Sequence, residues 1–130
     1  MTPTLIAAAL AFAAIASVSA AHAGAKDYEF QPVAVDVKNA SGAELAVRLL
    51  HKPTGRPVEG AVLLRTRLDM SPDGMGAMTA KHAAMPAAEP GVYRFKADLT
   101  MAGQWALQLQ AKVQGEAETV ERTVIFNALD

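Results

Sequence analysis

Between Gln104 and Val113 the chain alternates strictly: Trp105, Leu107, Leu109, Ala111 and Val113 are separated by Ala106, Gln108, Gln110 and Lys112. A period of two puts all five on one face of an extended strand, whereas a helix would scatter them around its circumference. The rest of the chain repeats the pattern in shorter pieces. Tyr28, Phe30, Val33, Val35 and Val37 alternate with a break of phase at Pro32, which lacks an N–H and belongs on an edge or at a bulge. Leu45, Val47 and Leu49 form a second face, Val62, Leu64, Thr66 and Leu68 a third, and Tyr93 with Phe95 a fourth, while Glu118–Phe126 is β-rich with a poorer pattern. Turn sequences separate them: Asn39-Ala-Ser-Gly42, the stretch His51–Gly60 with two prolines and two glycines, Glu89-Pro-Gly91, Thr100-Met-Ala-Gly103 and Gln114-Gly-Glu116. Six or seven short strands spaced by turns, with no long amphipathic helix, predict an all-β antiparallel sandwich in which Trp105 anchors the core.

The first 25 residues contain none of the 12 basic and 13 acidic side chains. Within them Leu5–Val18 is an apolar run, shorter than the roughly 20 residues of a spanning helix, and Ala21-His22-Ala23 follows as an A-x-A cleavage pattern. This predicts a signal peptide over 1–23, cleaved after Ala23, and one domain over 24–130 that is periplasmic or secreted and has no stable membrane anchor after cleavage. The leading Met1-Thr2-Pro3-Thr4 carries no Lys or Arg, which leaves a retained N-terminal anchor as the alternative. The formal net charge is −1 and there is no cysteine. The balance excludes the basic surface of a nucleic-acid binder. The absence of thiols excludes disulfides, thiolate metal sites and cysteine nucleophiles.

One segment departs from scaffold. Leu68–Met85 holds four of the six methionines, Met70, Met75, Met78 and Met85, together with His82. Thioethers are soft ligands that never require deprotonation, and with one imidazole they suit Cu(I) or Ag(I) far better than Zn, Mg or Ca. Packing is the ordinary role of a single methionine, but three methionines among Ser71, Pro72, Asp73 and Gly74 lie where loops run on the surface. The segment reads either as a helix from Ser71 to Met85, which would align Met75, Met78, His82 and Met85 in one stripe, or as a loop running into a strand. Gly74 and Gly76 and the β-rich flanks favour loop then strand. Met101, four residues before Trp105, packs on the indole or, if its turn folds back, closes the methionine set. Asp69 and Asp73 are too few for a Ca²⁺ site. No Gly-x-Ser-x-Gly, H-E-x-x-H or phosphate-binding glycine loop occurs, so no enzymatic activity is expected.

Gly55-Arg-Pro-Val-Glu-Gly-Ala61, the Met/Gly-rich loop, Gly91-Val-Tyr93 and Met101-Ala-Gly-Gln-Trp105 follow one another in an order that resembles the YtkA-like family, a relative of the FixH family. The resemblance spans roughly residues 40–126. It implies an exported immunoglobulin-like sandwich concerned with copper handling, heavy-metal efflux or oxidase assembly. It matches Met70, Met75 and Met78 to the family's Met-rich loop and Met101 to the methionine of its Met-x-Gly-x-Trp turn. The expectation is therefore Cu(I) bound by Met70, Met75 and Met78, with His82, Met85 and Met101 as further ligands, and a copper-handling or efflux partner in the cell envelope. The competing expectation is a metal-independent interaction module whose methionines form an adaptable docking patch.

Overall fold

The computed structural model describes residues 24–130 apart from Ala88, so the signal and cleavage site read in 1–23 lie outside the described residues. Among the described residues ten strands are formed: β1 (Tyr28–Pro32), β2 (Asp36–Lys38), β3 (Ala43–His51), β4 (Arg56–Pro57), β5 (Val62–Met70), β6 (Met75–Thr79), β7 (His82–Met85), β8 (Val92–Ala97), β9 (Gly103–Lys112) and β10 (Val120–Leu129). They make two sheets, one ordered β1-β3-β8-β7 with β4 appended to β3, the other β2-β10-β9-β5-β6. Every pairing is antiparallel except that of β2 with β10. Read as immunoglobulin strands, the first sheet is A-B-E-D and the second A′-G-F-C-C′.

The count exceeds the six or seven strands expected, for three local reasons. The first alternating run is split at Val33–Val35, where the chain leaves β1 in one sheet and enters β2 in the other; Pro32, without an N–H, ends β1 on the sheet edge. The proline-rich connection contributes the two-residue β4. The methionine segment supplies two strands, β6 and β7, one to each sheet.

The inner faces meet over Leu45, Val47 and Leu49 of β3, Phe95 of β8, Trp105, Leu107 and Leu109 of β9, and Phe126 of β10, all essentially without solvent contact. The third alternating run is corrected by the structure. In β5 a one-residue bulge at Leu64 interrupts the ladder with β9, so Leu63 pairs with Ala111 but Arg65 with Gln110. Val62 and Leu64 are exposed at 59% and 57%, while Thr66 and Leu68 turn inward, so the four do not share a face. The poorer pattern of β10 has its cause in Arg122. It occupies an inward position at the sandwich margin, where its guanidinium donates to the carbonyl oxygens of Ala25 and Glu121.

Candidate functional site

The methionine segment opens at the end of β5. Met70 is fully buried, and after it Ser71–Asp73 form one 3-10 turn that Gly74 closes at φ +74°, its N–H donating to Ser71 O at 2.9 Å. The chain then returns as β6, with Met75 opposite Met70. Loop followed by strand is thus the conformation adopted, and the single helical stripe of Met75, Met78, His82 and Met85 does not form. The hairpin is irregular: Asp69 pairs with Thr79 and Met70 with Met75, so Gly76, Ala77 and Met78 have no register partners and bow outward. Arg67 holds this bow by donating from Nη2 to Gly76 O at 2.9 Å. Met75 stays half-buried against the core, whereas Met78 is 38% exposed.

The β8–β9 corner lies against this hairpin. Asp73 accepts the Gln104 backbone N–H at 2.9 Å, and a Cβ added to Gly103 would overlap that carboxylate and stand 2.7 Å from Met70 Cε. Gly103 has φ +136°, a conformation that glycine alone adopts freely. Two residues on, the Trp105 indole N–H donates to Met101 O at 3.0 Å. This is the tryptophan counterpart of the tyrosine corner, in which a ring at the start of the F strand bonds back to the backbone just upstream. The Met-x-Gly-x-Trp sequence therefore has a structural cause: tryptophan as pin, glycine as contact point. That hydrogen bond uses the methionine backbone, and Met101 is 39% exposed. Met70, Met75 and Met101 accordingly lie on elements that meet at one end of the sandwich, with Met78 in the bow of the same hairpin.

The Gly-x-Tyr sequence belongs to a second corner. Gly91, at φ +77°, packs where a Cβ would stand 2.5 Å from Pro57 Cβ. The Tyr93 hydroxyl accepts from Ala61 N and donates to Val58 O, both at 2.9 Å, tying down the connection after β4. Burial pushes the Tyr93 phenol up, opposed by the Ala61 hydrogen bond and reinforced by the Glu59 charge.

His82 and Met85 stand apart from the methionine end. On β7, His82 and Ala84 share the inward face and Met85, opposite Arg94, points outward. Nδ1 of His82 lies 3.0 Å from Ala80 O, which can only accept, so Nδ1 carries the proton. Nε2 lies 2.7 Å from the Thr66 hydroxyl, and the ring meets Phe95 edge-on at 6.2 Å. Both nitrogens are engaged in a link between the two sheets, and a metal at Nε2 would displace Thr66.

The two acidic residues of the segment are also committed. Asp69 is buried on the outer side of β5, its Oδ2 2.8 Å from Arg67 Nε and its Oδ1 3.0 Å from Ser71 N. Burial works to raise its pKa; the Ser71 hydrogen bonds and the Arg67 guanidinium outweigh it and hold the carboxyl below the usual aspartate value. Asp73 serves Gln104. Among the described residues no three His, Asp or Glu side chains converge as metal ligands.

No curated protein matches the chain. The model of the YtkA-like family matches residues 22–110, more than half of the 130 residues, from ahead of β1 into β9. The matched span contains both corners, the methionine hairpin and the glycine and tryptophan positions that hold them in contact. The chain belongs to the YtkA-like family.

Proposed function

We propose that the end of the sandwich formed by the β5–β6 hairpin and the β8–β9 corner binds Cu(I) through methionine thioethers and exchanges it with a copper-handling or efflux protein of the cell envelope. The observation that carries this reading is the exposure of Met78 and Met101 at 38% and 39%, on elements adjoining half-buried Met75, where packing does not account for them. The hydrogen bond that closes the corner takes the Met101 carbonyl, so the sulfur has no part in that bond. Met70 lies beneath, closed off from solvent, so an ion arriving from outside meets Met75, Met78 and Met101 first. Soft, neutral donors of this kind select Cu(I) and Ag(I) over hard cations. His82, held by Thr66 and Ala80, and Met85, on the outer face of the other sheet, are not needed for this set.

Competition for Cu(I) against a chromophoric chelator, run anaerobically on the full chain, tests the reading. The wild type is expected to withdraw copper and the Met75/Met78/Met101→Leu variant to lose that capacity. Withdrawal is expected to change little between pH 7 and pH 5, because thioethers do not titrate; a steep fall over that range would transfer the site to His82. The same exposed side chains favour a second reading, an adaptable apolar docking patch. Leucine keeps the apolar surface, so capture of an envelope partner undiminished in the variant, with no copper competition by either protein, would establish it.

A further inference from the structure

A second surface, which uses none of the methionine sulfurs and does not rest on the copper reading, is built on the outer face of β5, β9 and β10. A groove of about 470 Å³ runs across it. The ladder sets two parallel rows of side chains in it: Arg65, Gln110 and Glu121 in one, Arg67, Gln108 and Thr123 in the next. The bulge at Leu64 sets the phase that stands both arginines outward, the re-aiming of side chains that bulges commonly perform.

The rows are rich in hydrogen-bond donors and poor in negative charge. Glu121 is the one acidic side chain among the residues lining the groove, and it sits two strands from Arg65, which makes no ion pair among the described residues. Arg67 is fixed from behind: its Nε is held by buried Asp69 at 2.8 Å and its Nη2 by Gly76 O at 2.9 Å. Its Nη1 edge remains uncommitted. A guanidinium oriented in advance loses little freedom when it meets a carboxylate. Glu121 faces the groove and buried Asp69 pairs with Arg67, so the free positive charge on this face is that of Arg65, with the Nη1 edge of Arg67 beside it.

The spacing fits an extended occupant, and Arg65, unpaired among the described residues, favours an acidic one. Arg65 and Arg67 are alternate residues of one strand, about 6.8 Å apart at 3.4 Å per residue, which is also the spacing of alternate side chains in any extended peptide. We propose that this face docks an extended acidic segment of a partner protein, with carboxylates on alternate residues of that segment seated on Arg65 and Arg67 and its backbone within reach of the Gln108 and Gln110 amides.

The probe is a labelled synthetic peptide of alternating Glu and Thr, titrated into the full chain at low salt beside a Gln/Thr peptide and free glutarate. Variants at Arg67 are avoided because they would leave Asp69 buried without its cation. Arg65→Glu alters an exposed side chain with no ion pair to break, and its circular dichroism serves as the check on folding. The Glu/Thr peptide is expected to move the side-chain amide resonances of Gln108 and Gln110. Its affinity should fall about tenfold or more in Arg65→Glu and weaken with added salt. Undiminished binding to Arg65→Glu, equal binding of the Gln/Thr peptide, or no binding at all would overturn the proposal. Displacement of the same resonances by glutarate at the concentrations at which the peptide acts would also overturn it, in favour of a small-carboxylate site.

Discussion

Gly103 shows how much of this protein rests on single positions. Its φ of +136° and the approach of Asp73 and Met70 Cε leave no room for a side chain. Gly103→Ala combines backbone strain with overpacking and is expected to cost about 3 kcal/mol in urea unfolding. Gly74→Ala, at φ +74° with nothing within 4 Å of the added carbon, carries only the strain, about 1 kcal/mol. Equal costs at the two sites would refute the contact described between corner and hairpin. Asp69 supplies a pH test. Its folded pKa lies below the ordinary aspartate value, so its contribution to stability is complete above that value and is lost as pH falls through the lowered one. Wild type should therefore lose stability more steeply than Asp69→Asn as pH falls below about 4. Superimposable acid limbs would contradict the ion pair. The sequence made Trp105 legible as an anchor but not its partner, because the Met101 carbonyl is a backbone atom common to every residue and only the corner brings it to the indole.

At the scale of elements, β9 was legible and β5 was not, for one physical reason. An unbroken strand between a core and solvent writes its faces directly into the sequence, whereas one extra residue reverses every face beyond it. Leu64 is that residue. Deleting Leu64 leaves Leu63 opposite Ala111 and Arg65 opposite Gln110, a regular ladder with the same faces, and is expected to cost no more than about 2 kcal/mol. Deleting Thr66 would turn Arg67 inward and Leu68 outward and is expected to cost more than about 4 kcal/mol or to prevent folding. Thermal unfolding of the two deletions separates these outcomes, and comparable destabilisation by both would contradict the bulge. The methionine segment was legible as loop and strand because Gly74 and Gly76 oppose a helix. Its division between two sheets was not, since nothing in a four-residue run such as His82–Met85 specifies which sheet receives it.

For the molecule as a whole, repeated turns and alternating runs were enough to indicate a sandwich, because such strands can bury their apolar faces only against a second sheet. The gathering of particular side chains is a different matter. It depends on which connections share an end of the sandwich, and the order of strands in the two sheets determines that. The β5–β6 hairpin and the β8–β9 corner meet through Asp73, Gln104 and Gly103, and they carry Met75, Met78 and Met101 with them. His82 and Met85, close to these in sequence, are carried to the other sheet. Spacing along the chain grouped Met70, Met75, Met78, His82 and Met85, and the family resemblance added Met101; topology divides them. The most direct test follows the methionine methyl resonances during titration with Ag(I) as a redox-inert surrogate for Cu(I). The methyls of Met75, Met78 and Met101 are expected to shift together and saturate at one equivalent while Met85 stays in place. Methyl resonances that do not move, or a response confined to Met85 and the His82 ring, would contradict a thioether site at this end of the sandwich.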